Sequence, residues 1–205
     1  MKTVAVVMLI FCFGLSTVEN IKCYECRQPN AKFCKGKEVE CPDGSSCMTV
    51  SSNAGINHTY YSIQKRCSLN MKCNHSMYAY VNDDVYFELS IDCCEGDLCN
   101  NGGHIIKNKT YDYNGPECPA CVSYDSLEVC EPVTTTICRN KTDHCNFFAG
   151  YLEKPDGVKT RFSVRGCMSE MSCLYDFSQI VGLKVSGVKT KGCKDLNLKH
   201  QPNHE

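Results

Sequence analysis

The segment Cys93-Cys94-Glu95-Gly96-Asp97-Leu98-Cys99-Asn100 holds three closely spaced cysteines and ends in asparagine. It closes a set of ten cysteines, eight of which recur in the same order in the second half of the chain. The offset between matching cysteines grows smoothly from 95 to 100 residues, so the order of short and long gaps is kept. Such self-similarity indicates an internal duplication. The matching sets are Cys23, Cys26, Cys34, Cys41, Cys47, Cys67, Cys73 and Cys93, and Cys118, Cys121, Cys130, Cys138, Cys145, Cys167, Cys173 and Cys193.

A hydrophobic leader at the N-terminus predicts a signal peptide over residues 1–20. Lys2 precedes an apolar stretch from Val4 to Leu15, and small and then polar residues follow it. The stretch is short for a membrane span, so cleavage is favoured over the alternative of an uncleaved anchor. Cleavage removes Cys12 and leaves an even number of cysteines, about one residue in ten, which is typical of a disulfide scaffold in an oxidising compartment. We therefore expect a secreted, extracellular protein.

Further surface features agree with secretion. Four Asn-X-Ser/Thr sequons predict N-linked glycosylation, at Asn57, Asn74, Asn108 and Asn140. The C-terminal residues 194–205 are polar and lack the hydrophobic tail of a lipid-anchor signal, so no membrane anchor is expected. The formal net charge is −1, with acids and bases interspersed, which favours neither nucleic acid nor an anionic membrane as a partner.

The segments between the cysteines are predicted to be short antiparallel strands, because β-branched and aromatic residues alternate with polar ones. The clearest runs cover residues 59–66, 84–92, 133–137, 158–164 and 183–190. No stretch shows sustained helical periodicity. A polar, glycine-rich segment predicts a linker at 102–117, between domains at 21–101 and 118–198, with a polar tail at 199–205. Each domain is so small that disulfides are expected to supply much of its stability.

The ending at residues 93–100, together with its ten spaced cysteines, resembles the signature of the three-finger domain shared by snake toxins, the lymphocyte-antigen-6 proteins and the urokinase receptor. This resemblance implies an all-β, disulfide-rich fold of two tandem three-finger (Ly-6/uPAR, snake-toxin-like) domains. The family's pairing, carried over, implies the disulfides Cys23–Cys47, Cys26–Cys34, Cys41–Cys67, Cys73–Cys93 and Cys94–Cys99. It also implies that Asn100 hydrogen-bonds to the backbone near the N-terminal strand.

The second copy departs from this pattern because it lacks both members of the last disulfide. The resemblance implies four disulfides there, Cys118–Cys145, Cys121–Cys130, Cys138–Cys167 and Cys173–Cys193. Asn197 stands where a remnant of the terminal asparagine is expected.

The whole plan resembles the gamma-type phospholipase A2 inhibitors. Supporting stretches are Gln64-Lys65-Arg66-Cys67 and Val164-Arg165-Gly166-Cys167. One departure is that those inhibitors often lack the short bridge at the N-terminus of the second domain, whereas Cys121 and Cys130 are present here. The resemblance implies a secreted, non-enzymatic binding protein that inhibits secreted phospholipase A2. Amphibian courtship-pheromone precursors of the sodefrin type share the two-domain plan, so a secreted signalling or pheromone-like ligand for a receptor is the alternative. Self-association into a homo-oligomer is a third role left open by the two-domain relatives.

Other chemistries have little support in the sequence. The two C-x2-C pairs could belong to zinc or redox sites, but the oxidising compartment and the full set of implied disulfides argue against both. The six histidines are scattered, and no hydrolase, metalloprotease or phosphate-loop motif is found. We expect no cofactor, no metal and no catalytic residue.

Binding is therefore the expected activity, carried by side chains on a rigid platform. Aromatic and charged residues of the fingers are the candidates, because such residues dominate interface energetics. Strand alternation directs about half of them inward. The favoured binding residues are Tyr60, Tyr61, Tyr86, Phe147, Phe148 and Arg161. The wider candidate set adds Lys65, Tyr78, Tyr80, Tyr151, Phe162 and Tyr175.

Overall fold

The computed structural model describes residues 20–68, 73–106, 110–154, 157–173 and 184–193. The predicted signal peptide before Asn20 and the predicted tail lie outside these ranges. Asn108, Tyr175 and Asn197, which the sequence singled out, also lie outside the described residues.

The first domain is built from three antiparallel hairpins, one for each finger. Its strands are β1 (Lys22–Pro29), β2 (Lys37–Glu40), β3 (Ser46–Ile56), β4 (His58–Ser68), β5 (His75–Asn82) and β6 (Val85–Cys94). They pair in the order β2–β1–β4–β3–β6–β5. The long register between β3 and β6 joins the second finger to the third.

The second domain repeats this order with five described strands. They are β7 (Glu117–Ser123), β8 (Thr134–Ile137), β9 (His144–Glu153), β10 (Lys159–Met168) and β11 (Lys184–Cys193). They pair as β8–β7–β10–β9–β11, so β7, β8, β9, β10 and β11 correspond to β1, β2, β3, β4 and β6. Helix is limited, within the described ranges, to the 3-10 turn Cys99–Asn101 and the short α1 (Glu170–Cys173). The predicted fold of two tandem three-finger domains is confirmed.

The five runs predicted as strands correspond to β4, β6, β8, β10 and β11, with ends that differ by a few residues. The described residues contain nine disulfides, and they join the same cysteines as the pairing that the resemblance implies. At the base of each domain the sulfurs form the core: Cys23, Cys41 and Cys47 pack in the first, and Cys118 and Cys138 in the second, all almost fully buried. In domains of this size, covalent closure replaces part of a larger apolar core.

Asn100 closes the first domain onto its N-terminal strand. It is 3% exposed, and its side-chain oxygen accepts a hydrogen bond from the backbone nitrogen of Tyr24 at 2.9 Å. Its amide group donates to the carbonyl oxygens of Tyr24 at 2.9 Å and of Met48 at 3.3 Å. The short loop closed by Cys94 and Cys99 presents this side chain, as the resemblance implies.

The two domains share one sheet and one apolar core. Strand β10 pairs with β7 through Ser163–Arg165, and its last residues, Cys167 and Met168, pair with Tyr80 and Ala79 of β5. Apolar side chains from both domains then meet across the junction. This shared core contains Ala54, Ile56, Val81, Val85, Ala120, Leu152 and Phe162.

The predicted linker packs against the first domain in its described part. The backbone nitrogen of His104 donates to the Lys32 carbonyl at 2.9 Å, and the backbone nitrogen of Ile105 donates to the Ser51 hydroxyl at 3.1 Å. Tyr111 continues along the same sheet face, where its hydroxyl donates to the Glu88 carboxylate at 3.2 Å. The linker thus packs on the face of the first domain that carries Ser51 and Glu88.

Candidate functional site

Most of the aromatic candidates of the first domain serve internal contacts. Tyr78 and Tyr80 are 7% and 8% exposed, and Tyr86 packs beside them. Tyr60 packs against the shared core. Tyr61 is half-buried and its ring lies 4.0 Å below the Lys32 ammonium, with His104 edge-on at 5.7 Å between ring centroids. These tyrosines are therefore placed mainly to hold the domain and its linker together.

Lys65 is a buried structural residue, although its residue type suggested a surface contact. Its side chain is 2% exposed and its ammonium donates to the carbonyl oxygen of Asn101 at 3.2 Å. The ring centroids of Phe33 and Tyr24 lie 5.1 Å and 6.0 Å from the nitrogen. Burial lowers the pKa of Lys65 below its ordinary value. The lysine thus caps the turn that follows Asn100.

In the second domain, strand register divides the candidates between two faces. Phe148 lies across from Val164 and packs with Phe162 against the shared core. Arg161 lies across from Tyr151 on the opposite face. Further along that opposite face, Arg165 lies across from Phe147.

We call Phe147, Tyr151, Arg161 and Arg165 the outer face. Arg161 is exposed and the other three are half-buried. The Arg165 guanidinium lies 6.0 Å from the Phe147 ring centroid, and its Nε donates to the Cys130 carbonyl at 2.8 Å. Strand β10 carries Lys159, Arg161 and Arg165, and the ion pair of Lys159 with Glu153 of β9, 3.7 Å from nitrogen to oxygen, leaves the two arginines as the net charge of this face. The outer face is therefore aromatic and cationic, which suits recognition of an acidic protein surface.

Two apolar side chains near the first finger of the second domain extend the exposed surface. Val133 is 84% exposed and Ile137 is 51% exposed, and they lie just before and at the end of the edge strand β8. The sequence-based candidates did not include them, because those were restricted to aromatic and charged residues. The signal was present in the sequence as the β-branched run at 133–137.

A buried ion pair that was not among the residues predicted from the sequence joins the two domains. The guanidinium of Arg139 forms a salt bridge with Glu88, and their side chains are 6% and 17% exposed. Three tyrosine rings surround the cation: its distance to the ring centroid is 4.0 Å for Tyr111, 4.5 Å for Tyr80 and 5.0 Å for Tyr78. We call these five residues the Arg139 cluster. It brings together β5, β6, the linker and the second domain.

A second set of hydrogen bonds supports the Arg139 cluster. The Tyr78 hydroxyl donates to the Asp143 carboxylate and accepts from the Asn140 amide at 2.9 Å. The backbone nitrogen of Asn140 also donates to Asp143, at 2.8 Å. Asn140, a predicted glycosylation site, is exposed but its side chain is thus engaged at the junction.

The Arg139 cluster shifts the ionisation of its members. Burial raises the pKa of Tyr78 and of Tyr80, and it raises the pKa of Tyr111 to about 12. Burial by itself lowers the pKa of Arg139, but the hydrogen bond and charge of Glu88 raise it above its ordinary value. The arrangement favours neutral tyrosines around a permanent cation.

An apolar cleft lies beside the shared core, between the two domains. Its cavity volume is about 160 Å³. Ala54 and Phe87 contribute to its wall from the first domain, and Phe148 and Val188 from the second. Lys191 of β11 also lines it.

Close sulfur groups exist in both domains but offer no metal ligands. In each domain three cysteine sulfurs lie within 4.8 Å of one another. All belong to disulfides, and Cys26 and Cys121, from the C-x2-C pairs, are bonded to Cys34 and Cys130. A disulfide sulfur is not a thiolate, so these groups supply neither the ligand nor the nucleophile that such chemistry requires.

Two further predicted glycosylation sites have left-handed backbones. Asn57 occupies the tip of the β3–β4 hairpin, with φ at 63°. Asn74 has φ at 57°, and its side-chain oxygen accepts from the Cys93 backbone nitrogen at 3.2 Å. Both residues are asparagines, which tolerate this conformation better than most side chains.

Within the part of the chain that the structure describes, no helix is long and apolar enough to span a membrane.

Comparison with known proteins gives a consistent picture across both domains. The family model for the u-PAR/Ly-6 domain matches residues 19–102 and 114–202. A phospholipase A2 inhibitor gamma subunit from Gloydius brevicaudus siniticus is 28% identical over 177 residues, which cover 80% of this chain and 84% of that protein. The Ly6/PLAUR domain-containing protein 8 of Mus musculus is 26% identical over 191 residues, 85% of this chain and 68% of that protein. The crystal structure of mouse TEX101 aligns with a TM-score of 0.38 at 19% identity, over 84% of this chain and 97% of that one.

Proposed function

The chain belongs to the u-PAR/Ly-6 domain family, and from that premise we propose that it is a secreted, non-enzymatic binding protein that inhibits secreted phospholipase A2. The observation that carries the proposal is the similarity to a phospholipase A2 inhibitor gamma subunit over both domains. The fold supplies what such an inhibitor needs, because disulfides hold its strands in place before the target arrives.

We further propose that the outer face contacts the enzyme. Arg161 and Tyr151 face each other across β9 and β10, on the same side as the pair of Arg165 and Phe147. Arginine and tyrosine are enriched among residues that dominate binding energy, and ten register pairs between β9 and β10 hold them on a rigid element. An enzyme bound at this face loses access to aggregated lipid by steric obstruction.

The proposal is tested with the oxidised protein from a secreting host and a panel of secreted phospholipases acting on lipid vesicles. If Arg161 is one of the few residues that dominate the interface, a group in which arginine is enriched, Arg161→Ala should cost about 2 kcal/mol or more and so weaken inhibition at least tenfold. Arg27→Ala is the matched control, since Arg27 is an exposed strand arginine in the first domain. It should leave inhibition unchanged.

The outcomes separate the target from the contact surface. If Arg27→Ala weakens inhibition and Arg161→Ala does not, the enzyme is the target but the contact lies on the first domain. No inhibition of any phospholipase at micromolar protein contradicts the inhibitor function. Saturable binding to receptor-bearing cells in that case supports the alternative of a signalling ligand.

A further inference from the structure

The cleft between the two domains has the properties of a ligand site distinct from the outer face. Its walls come from the inner sheet face of the second domain, at Phe148 and Val164, and from Ala54 and Phe87 of the first. The outer-face residues do not line it. A partner bound at the outer face therefore leaves the cleft available.

The size and lining of the cleft define the apolar part of a ligand. A closed apolar cavity of about 150 Å³ holds one benzene-sized molecule, and this cleft is of similar volume, about 160 Å³. Val188, on its lining, is 45% exposed, so the cleft reaches solvent at β11. A short alkyl chain can enter there without opening the shared core.

The charge on the lining defines the polar part. Lys191 lies beside Phe148 in the β11–β9 register, is exposed, and lines the cleft. Among the described residues no acidic side chain lines the cleft or forms an ion pair with Lys191. The lysine stem can cover the apolar chain while its ammonium stays in water, where it attracts an anion.

We propose that this cleft binds a medium-chain fatty acid, with the alkyl chain between the two domains and the carboxylate at Lys191. The inference does not depend on the phospholipase target, because it rests on the volume, lining and charge of the cleft. It assigns the protein a small amphiphilic ligand in addition to its protein partner.

The test is a titration of the oxidised full chain with octanoate, followed by methyl chemical shifts of its valine, leucine and alanine residues and by calorimetry. Octanol and octylammonium, which carry the same chain, are the comparison probes. Octanoate should bind saturably, and octylammonium should bind more weakly. The shifts should concentrate on Ala54, Leu152 and Val188.

Two variants separate the charge from the cavity. Lys191→Met keeps the apolar stem and should lower the affinity for octanoate about fivefold, as expected for a partly exposed ion pair, while the affinity for octanol stays the same. Lys189→Met is the matched control, since Lys189 lies on the same strand but does not line the cleft, and it should have no effect. Ala54→Leu should fill the cavity and lower the affinity for every alkyl probe that binds there.

Equal binding of octanoate and octylammonium, or an octanoate affinity that Lys191→Met does not change, overturns the assignment of the carboxylate. Shifts outside the cleft, or no saturable binding of any probe, overturn the site itself. Because Lys191 is exposed, its variant tests the proposal even if Ala54→Leu does not fold. None of these outcomes bears on phospholipase inhibition, which is measured separately.

Discussion

Replacing Arg139 by methionine should destabilise the junction between the domains by several kcal/mol, more than a typical point substitution costs. The substitution keeps most of the side-chain volume but leaves the Glu88 carboxylate, 17% exposed, without its cation. Removing one partner of a buried ion pair costs about 3 to 5 kcal/mol, and loss of the cation over three tyrosine rings adds to this at about 0.5 to 1 kcal/mol per ring. Because Glu88 keeps some solvent and its bond from Tyr111, we take the lower end of each range, about 3 kcal/mol for the ion pair and about 1.5 kcal/mol for the three rings, or about 4.5 kcal/mol in total.

The measurement is urea unfolding of the oxidised protein, followed by near-ultraviolet circular dichroism. The chain has eleven tyrosines and no tryptophan, so tyrosine packing contributes to this signal together with the disulfides, and three of the tyrosines belong to the Arg139 cluster. Arg161→Met is the matched control; it removes an exposed arginine from the same domain and should change the free energy of unfolding by less than about 0.5 kcal/mol.

A double-mutant cycle isolates the ion pair. Glu88→Gln keeps an acceptor for Tyr111 and the cation over the rings, so it should cost about 3 kcal/mol, the ion-pair part of the Arg139→Met cost. The double variant contains neither charge of the pair and should be less destabilised than the sum of the singles by at least about 2 kcal/mol. Additive effects, or a cost below about 1 kcal/mol for Arg139→Met, would refute the view that this pair holds the domains together.

Three other perturbations test separate parts of the structure. Burial raises the pKa of Tyr78, Tyr80 and Tyr111, the last to about 12, whereas tyrosines of the unfolded chain have a pKa of about 10. These groups therefore contribute their full stabilisation below about pH 10, and the free energy of unfolding should fall as the pH rises from about 10 to 12. Urea midpoints measured across this range check the prediction, and Tyr78→Phe should lessen the fall. Asn100→Ala leaves buried backbone groups of the first domain unpaired and should cost about 3 kcal/mol in the same unfolding assay; a cost below about 1 kcal/mol would show that water replaces the side chain. Gly166→Val places a Cβ about 2.5 Å from the Tyr80 carbonyl oxygen and should separate β10 from β5, seen as faster amide hydrogen exchange at that pairing with the other strands protected; unchanged exchange there would contradict it.

The cysteine frame predicted the fold because its two longest gaps, Cys47 to Cys67 and Cys73 to Cys93, each span one hairpin, and the family pattern supplied the pairing that spacing does not determine. Strand alternation also predicted that about half of the candidate contacts point inward. It did not predict which half, since both faces of the first sheet are covered at different places. Tyr61 meets the linker at His104, whereas Tyr60 meets the shared core. The sequence around these two residues does not show that one contacts the linker and the other the shared core.

The contacts between the two domains could not be predicted from the sequence for a related reason. Arg139 follows a cysteine in a polar stretch typical of an exposed loop, and its burial depends on Glu88, at a sequence separation of 51 residues. Lys65 likewise lies in an alternating strand, and its burial depends on Asn101 and the rings of the first finger. Long-range partners decide these environments, and a single sequence contains no local signal for them.

All nine disulfides of the described residues lie within one domain or the other, so the relation between the domains is non-covalent. It rests on the short β5–β10 pairing, the shared core and the Arg139 cluster. The cleft exists only while these hold, because its walls come from both domains. The outer face belongs to the second domain alone and is held by β9 and β10. Conditions that undock the domains should therefore abolish fatty-acid binding while sparing contacts made by the outer face. Inhibition that is lost together with fatty-acid binding would place the enzyme across the junction instead.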